Sequence, residues 1–190
     1  VYKRQARERA VDVGTGSGVL ALMLQEAGFG EVIATDTNDN AIEGLTRDLA
    51  RPPAVTTIHP RRVYLVGPVG SRFDVVLFNP PWLPGEAHSL LDQAIYYPPD
   101  LFSDFFAAAW RALRPDGRLV LLFSNLLQTA GVSTQHPIER ELRRRKRFEK
   151  VRKLEKPVGS ASKKTRRRKR TNTAERVQLW ELRRRSGGGA

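Results

Sequence analysis

The sequence contains no cysteine among its 190 residues, so it can form neither a disulfide bond nor a thiolate metal site. It also lacks an apolar run near the roughly 18 residues that a membrane-spanning helix needs, and a leader-like segment. We therefore expect no membrane partner, and the absence of cysteine agrees with a cytoplasmic location. What the chain does have is 40% hydrophobic residues, enough for one globular domain with a real core.

The two ends of the chain are excluded from the fold prediction. Residues 1–5, "VYKRQ", could be encoded by GTG TAT AAG AGA CAG, which resembles a translated sequencing-transposon end, and we interpret them as a scar. A first strand follows almost at once, so we expect natural residues to be missing upstream. Residues 186–190, which are rich in glycine, are typical of a flexible tail. The predicted unit is one domain over residues 6–185.

Short apolar runs alternate with helical stretches along most of the chain. Strands are predicted at 9–14, 31–36, 61–67, 73–79 and 118–125, and helices at 18–28, 40–50 and after Asp100, with a Pro-Asp-Gly turn at 115–117. This alternation predicts an α/β fold, a doubly wound, mostly parallel Rossmann-like sheet with right-handed crossovers.

The last third of the chain has a different pattern. A helix is predicted at 136–147, followed by strands at 147–157 and 175–185, which we expect to close the sheet as a carboxyl-terminal antiparallel hairpin. Doubly wound sheets bind ligands beyond the carboxyl ends of their strands, where the strand order reverses. Gly14 and Asn79 end the first and fourth strands and are expected to flank that crevice.

The stretch "VDVGTGSGVLAL" is predicted to be a strand, a glycine loop and a helix. Its glycines, Gly14, Gly16 and Gly18, follow the spacing G-x-G-x-G, which is neither the dinucleotide fingerprint G-x-G-x-x-G nor a P-loop. Asp36 ends the second strand about twenty residues after the loop, where a carboxylate can bind both hydroxyls of a ribose. Asp12 can accept from a cationic amino group, directly or through water. Together these groups suit a ligand with a ribose and a zwitterionic tail but no pyrophosphate.

These residues carry a family resemblance. "VDVGTGSGVLAL" and "IATDTN" resemble the cofactor site of class I S-adenosylmethionine-dependent methyltransferases, and "FDVVLFNPPW" resembles their amino-methylating motif, Asn-Pro-Pro-aromatic. The likeness extends to the small-domain enzymes that methylate RNA bases or protein glutamines. It implies S-adenosylmethionine as cofactor and the following cofactor-binding residues: Asp12, Gly14, Thr15, Gly16, Ser17, Gly18, Asp36, Thr37, Asn38 and Asn79.

One departure from the family concerns the adenine. Many relatives have an acidic residue after the third strand that binds the adenine amino group, but "VYLVGPVG" offers none. Adenine recognition is then expected to rest on the backbone and on Thr37, Asn38 or Leu65.

The catalytic residues implied are Asn79, Pro80, Pro81 and Trp82. A planar nitrogen is a poor nucleophile because its lone pair is delocalised. If Asn79 Oδ1 and the Pro80 carbonyl each accept one of its N–H groups, the lone pair is held toward the methyl group and developing positive charge is stabilised. The prolines fix the backbone, and Trp82 offers a face for stacking.

Positive charge is concentrated at the carboxyl end of the chain. Residues 140–185 contain 21 Lys and Arg against 5 Glu, a net of +16, whereas the remainder has a net of −3. Within the basic loop 157–174, "KKTRRRKR" predicts contacts with nucleic-acid phosphates, and the alternative is a solvated connection. The predicted contact residues are Lys163, Lys164, Arg166, Arg167, Arg168, Lys169 and Arg170.

The remaining candidates are weaker, and the function stays open among three alternatives. His59, His88 and His136 lack metal-ligand spacing and are interpreted as surface or loop residues. Tyr96 and Tyr97 are interpreted as part of a packed loop, and lining of the substrate mouth is the alternative. The preferred function is N-methylation of a base in ribosomal or transfer RNA, with DNA as a less favoured acceptor. The alternatives are a glutamine methyltransferase of translation factors or ribosomal proteins, and a non-catalytic nucleic-acid-binding protein. The sequence does not fix the oligomeric state.

Overall fold

The computed structural model describes residues 8–67, 72–89, 92–129, 131, 133–158 and 175–185. The predicted phosphate contacts at 163–170 lie outside these residues, and so do residues 1–5 and the glycine-rich end. Among the described helices, none combines the length and the hydropathy that crossing a membrane requires.

Seven strands form the main sheet, and their order is β3-β2-β1-β4-β7-β9-β8. They are β1 (Arg9–Val13), β2 (Glu31–Asp36), β3 (Ile58–Arg62), β4 (Phe73–Phe78), β7 (Leu113–Ser124), β8 (Phe148–Pro157) and β9 (Arg176–Arg184). A separate parallel pair consists of β5 (Leu83–Pro84) and β6 (Tyr96–Tyr97). The helices are α1 (Val19–Glu26), α2 (Asp39–Leu49), α3 (Leu101–Ala112), α4 (Leu126–Thr129) and α5 (Pro137–Arg144), and a 3-10 turn spans Asp92–Ala94.

The strand directions confirm the predicted fold class. Strands β1 to β4 and β7 run parallel, whereas β9 pairs antiparallel with both β7 and β8, as the expected carboxyl-terminal hairpin requires. The chain moves outward from β1 through β2 to β3 and then returns to place β4 on the other side of β1. The strand order therefore reverses between β1 and β4, and their carboxyl ends form a crevice.

Two apolar cores lie on opposite faces of the sheet. On one face, α3 buries Phe102, Phe105 and Phe106 against the sheet, with the rings of Phe78 and Phe105 4.4 Å apart. On the other face, the small residues of β1 and β2 pack under α1 and α2. Because Phe78 is the last residue of β4, this packing fixes the position of the chain that follows it, Asn79 to Trp82.

The third strand was predicted wrongly. It covers Ile58–Arg62 and not 61–67. The sequence did not indicate this strand because proline is unfavourable in most strands, but β3 is an edge strand, where Pro60 can be accommodated. The apolar residues that suggested a strand, Val63 to Val66, instead form a turn in which Leu65 has a φ of 52°. The hydroxyl of Thr35 donates to the Leu65 carbonyl at 2.7 Å, so the turn is held against β2.

Two further predictions need correction. The Pro-Asp-Gly segment at 115–117 lies within β7, which begins at Leu113, and it appears as an irregularity in the pairing with β4. His136 is buried, with 4% of its surface exposed, because its ring packs against Phe123 and Trp180. His59 and His88 are exposed, as expected.

Candidate active site

The glycine loop between β1 and α1 is held by hydrogen bonds to the end of β2. The Thr15 amide donates to the Thr35 carbonyl at 2.8 Å, and the Gly16 amide donates to Asp36 Oδ2 at 2.9 Å. Gly16 has a φ of 53°, a left-handed conformation that a side chain would strain, and no atom lies near the place of a Cβ. The loop therefore presents bare backbone to the crevice.

The Asp36 side chain accepts hydrogen bonds from two backbone amides at the end of β2. Its Oδ2 accepts from Gly16 and its Oδ1 accepts from the Asn38 amide, also at 2.9 Å. Each carboxylate oxygen has a second lone pair, and the side chain is half-buried at the cavity wall. A carboxylate fixed by two backbone donors can bind a pair of neighbouring hydroxyls without losing further conformational freedom.

A cavity of about 670 Å³ lies beyond the carboxyl ends of β1, β2 and β4. This volume is in the range of small-molecule sites. Eight of the ten predicted cofactor-binding residues line it, namely Gly14, Thr15, Gly16, Ser17, Asp36, Thr37, Asn38 and Asn79. The sequence therefore located the cavity, although the binding roles of these residues stay predictions.

Asp12 is not among the residues that line the cavity. It is fully buried beneath the glycine loop, and its Oδ2 accepts from the Thr15 hydroxyl at 2.7 Å. Burial raises the pKa of Asp12 to about 6, and repulsion from Asp36 adds to the rise, while hydrogen bonds from Thr15 and the Ala21 amide oppose it. In this structure Asp12 contacts the loop from below, a position that the sequence did not distinguish from direct contact with a ligand.

Gly18 also lies outside the cavity lining. It is buried at the start of α1 with a φ of 80°, and a Cβ there would overlap Leu45 Cδ1. The glycine thus allows α1 and α2 to approach each other, and its role in cofactor binding stays a prediction.

The turn after β3 forms the far wall of the cavity. Val63, Tyr64 and Leu65 line it, and no acidic side chain of this turn does. Burial raises the pKa of Tyr64, and the negative charges of Asp104 and Asp100 raise it further, which places the start of α3 within electrostatic reach of this phenol. Leu65 therefore lies where it was expected, and Tyr64 is an additional lining residue that sequence reasoning missed.

Asn79 lies at the junction of two cavities. It lines the large cavity and also a second one of about 330 Å³, whose other lining residues are Pro80, Trp82, Leu83, Ala94, Ile95 and Leu126. Its side chain is exposed and makes no hydrogen bond to any residue within the described ranges, so both its amide oxygen and its amide nitrogen are free. Of the predicted catalytic residues, Pro80 and Trp82 line the second cavity and Pro81 lines the first.

Residues within 82–87 and 93–97 line the two cavities beside Asn79. The Leu83 amide donates to the Ile95 carbonyl at 3.0 Å, and the Gly85 amide donates to the Tyr97 carbonyl at 3.1 Å, which pairs β5 with β6. Tyr96 and Tyr97 both line the large cavity, and Tyr97 is buried against Phe102. Two-residue strands leave no periodic signal, so these elements could not be predicted, although the Tyr-Tyr-Pro sequence did mark the segment.

No group of three or more His, Asp or Glu side chains in the described part of the chain is arranged to hold a metal ion. The polar side chains that line the crevice include the carboxylate of Asp36, the amide of Asn79 and the hydroxyl groups of Ser17 and Thr37. Such a set suits hydrogen bonding to a nucleoside and to N–H groups of an acceptor.

The mostly parallel seven-stranded sheet with its antiparallel β9 is the Rossmann-like fold of methyltransferases. Residues 2–155 match the profile of the methyltransferase small domain family, and the chain belongs to this family. S-adenosylmethionine is the cofactor that this membership indicates. The fold is shared with a Streptococcus mutans methyltransferase solved in complex with SAH, at 15% identity and a TM-score of 0.59, covering 93% of this chain and 89% of that one.

Two curated relatives differ in the acceptor that their names specify. The chain is 31% identical over 170 residues to a release factor glutamine methyltransferase of Deinococcus radiodurans, covering 79% of this chain and 60% of that protein. It is 32% identical over 120 residues to a tRNA1(Val) (adenine(37)-N6)-methyltransferase of Aeromonas salmonicida, covering 60% of this chain and 50% of that protein. The chain thus spans only half to three fifths of the length of these relatives.

Proposed function

We propose that this chain is the catalytic domain of an N-methyltransferase that uses S-adenosylmethionine and methylates a base of ribosomal or transfer RNA. The observation that carries the proposal is that Asn79 lies where the two cavities meet. The large cavity has the volume and the polar groups for a nucleoside with a charged tail, and the small one has apolar walls suited to a flat group. Methyl transfer requires that both ligands approach one point.

The residues of the large cavity fit the cofactor. Asp36 is held where a carboxylate can accept from both ribose hydroxyls, and the glycine loop lies against the space for the amino-acid portion. Val63 and Leu65 supply apolar contact for the adenine. When bound, the cofactor supplies an electrophilic methyl group on a positively charged sulfur.

Asn79 and Pro80 orient the acceptor in this proposal. Asn79 Oδ1 and the Pro80 carbonyl each accept one N–H of the planar nitrogen, so that its lone pair points toward the large cavity and developing positive charge is stabilised. The free side chain of Asn79 is available for this role without breaking an existing hydrogen bond. Trp82 offers an aromatic face on which a base can stack, at the wall of the small cavity.

Charge favours RNA over a protein acceptor. Within 136–158 and 175–185, 14 Lys and Arg stand against 6 Glu, whereas residues 8–67 have 5 against 8 Asp and Glu. A positive surface on one side of a near-neutral catalytic body suits a polyanion. The alternative, methylation of a protein glutamine, is supported by the likeness to release factor glutamine methyltransferases, since the same two acceptors can hold a side-chain amide.

The test is transfer of tritiated methyl groups from S-adenosylmethionine to RNA, DNA and protein fractions in parallel. We expect label in RNA, and its loss with Asn79→Ala. Label confined to protein would establish the glutamine alternative. Absence of S-adenosylmethionine binding by calorimetry would contradict the enzyme assignment and leave a nucleic-acid-binding protein with the same fold.

A further inference from the structure

Helix α5 begins on the side of the sheet where the carboxyl ends of the parallel strands and the candidate active site lie. The chain leaves the carboxyl end of β7 through α4, whose Leu126 lines the small cavity, and enters α5 after His136, which packs on Phe123. Helix α5 then packs against α3 and β8. Burial raises the pKa of Tyr97 while the positive charge of Arg140 opposes the rise, so Arg140 is within electrostatic reach of a residue that lines the large cavity.

Only part of the positive charge on α5 is neutralised. Arg147 forms a bidentate pair with the buried Glu141, with N–O distances of 2.7 and 2.8 Å. Arg143 lies 3.8 Å from Glu139. Four exposed side chains have no acidic partner among the residues that the structure describes, namely Arg140, Arg144, Arg145 and Lys146. We refer to these four side chains as the α5 basic surface.

We propose that the α5 basic surface binds phosphates of an RNA acceptor and guides the RNA toward the small cavity. The proposal rests on the proposed function and adds the place where the acceptor backbone lies. Arg140 and Arg144 are four residues apart and therefore share one face of the helix, about 6 Å apart along its axis. No aromatic side chain is interleaved with these cations, so the surface suits the phosphates and not base recognition.

The chain offers a matched control for this surface. Arg47 and Arg51 are also exposed and four residues apart. Arg47 lies in the last turn of α2, and Arg51 follows its end and pairs with Asp48 at 3.2 Å. Helix α2 contacts β3, at the edge of the sheet opposite to β8. Replacing Arg47 and Arg51 removes the same number of positive charges from exposed side chains without altering α5.

The experiment measures the affinity of the full chain for two RNA hairpins of unrelated sequence over a range of salt concentrations. The variants are Arg140→Ser with Arg144→Ser, the control Arg47→Ser with Arg51→Ser, and Arg140→Lys with Arg144→Lys. Each lost phosphate contact reduces the slope of log affinity against log salt by about 0.7 for single strands and about 0.9 for duplex. We expect the α5 Ser variant to lose roughly 1.4–1.8 from the slope on both hairpins, while the control and the Lys variant keep the wild-type slope.

Several outcomes would overturn the proposal. An α5 Ser variant with the wild-type slope, or an equal loss in the α2 control, would mean that α5 has no particular role. Unchanged RNA binding together with weakened binding of polyglutamate would assign the surface to an acidic protein. Because these measurements require no methyl transfer, a changed slope without RNA methylation would support the surface while contradicting the proposed function.

Discussion

The two cavities that meet at Asn79 are built in different ways. The large cavity is lined by the glycine loop and by residues at the ends of adjacent parallel strands, where two backbone amides fix Asp36. The small cavity is lined by apolar side chains from three separate segments, 79–83, 94–95 and 126. A ligand that is common to a family can be bound by groups at the ends of strands, because the fold determines their positions. An acceptor that differs among relatives must be recognised by side chains, which can change without changing the fold.

This difference predicts that substitutions in the two cavities separate cofactor binding from acceptor binding. Asn79 and Ala94 are exceptions because both residues line the two cavities.

The largest expected effect is that of Asn79→Ala on methyl transfer. The substitution removes an acceptor that is used mainly as charge develops on the nitrogen, so the rate should fall by roughly 10²–10³. Cofactor affinity should stay nearly unchanged, because the Asp36 and glycine-loop contacts remain. Single-turnover transfer and calorimetry on the same preparation measure the two effects. Full turnover by Asn79→Ala on the true acceptor would contradict the proposed role.

The next effect concerns the support beneath the glycine loop and is read from stability against pH. Because burial raises the folded-state pKa of Asp12 from 3.8 to about 6, the folded state binds this proton more tightly than the unfolded state. The contribution of Asp12 to stability is therefore present below about pH 4 and lost as the pH rises through 6, by at most about 3 kcal/mol. His136 has the opposite effect on stability. Burial lowers its pKa from 6.5 to about 4, so the contribution of the neutral imidazole to stability is lost as the pH falls from 6.5 to 4.

We expect the two groups to offset each other in the wild type. Relative to wild type, Asp12→Asn should become more stable as the pH rises from 4 to 6.5, and His136→Phe should become less stable over the same range. Denaturant unfolding at several pH values measures both differences. Parallel curves for wild type and Asp12→Asn would show that the carboxyl group does not titrate in this window. A large loss of cofactor affinity in Asp12→Asn would instead support the contact predicted from the sequence, in which Asp12 accepts from the cofactor's amino group directly or through water.

Asp12 illustrates what a sequence motif can specify. The motif located the loop, the cavity and Asp36 because each is fixed by the local chain and by its strand neighbours. Whether Asp12 faces the ligand or the space below the loop depends on which face of β1 its side chain occupies and on what covers that face. Both are tertiary properties. The motif likewise did not indicate that Gly18 packs against Leu45.

The small cavity shows the limit of prediction more clearly. The Asn-Pro-Pro-Trp segment could be recognised, but Ile95 and Leu126 join it only through the β5–β6 pairing and the end of β7. Neither contact leaves a periodic pattern in the sequence. The position of the third strand was predicted wrongly for a related reason. Pro60 is tolerated only in an edge strand, and the sequence alone did not indicate that β3 lies at the edge of the sheet.

Asp36→Ala should weaken cofactor binding without changing the affinity for the acceptor. It removes a carboxylate that is proposed to accept from two ribose hydroxyls, so binding of S-adenosylmethionine should weaken by about 1.5–3 kcal/mol. The Gly16 and Asn38 amides also lose their acceptor, so loop disorder could contribute to the loss. Asp36→Asn, which keeps one oxygen acceptor, serves as the control and should show a smaller loss. NADH binding more tightly than S-adenosylmethionine to the wild type would contradict the cofactor assignment.

Trp82→Ala should affect only the acceptor side and is expected to have the smallest effect. Stacking of a base on an aromatic side chain contributes about 1–3 kcal/mol, so KM for an RNA acceptor should rise while cofactor affinity stays constant. Trp82→Phe retains an aromatic face and should restore most of the binding. A glutamine acceptor would respond differently, since a side-chain amide needs the apolar wall but gains less from the area of the ring. Equal losses for Trp82→Leu and Trp82→Ala on RNA would support stacking, whereas full rescue by Trp82→Leu would indicate that the wall serves only as apolar contact and would favour the glutamine alternative.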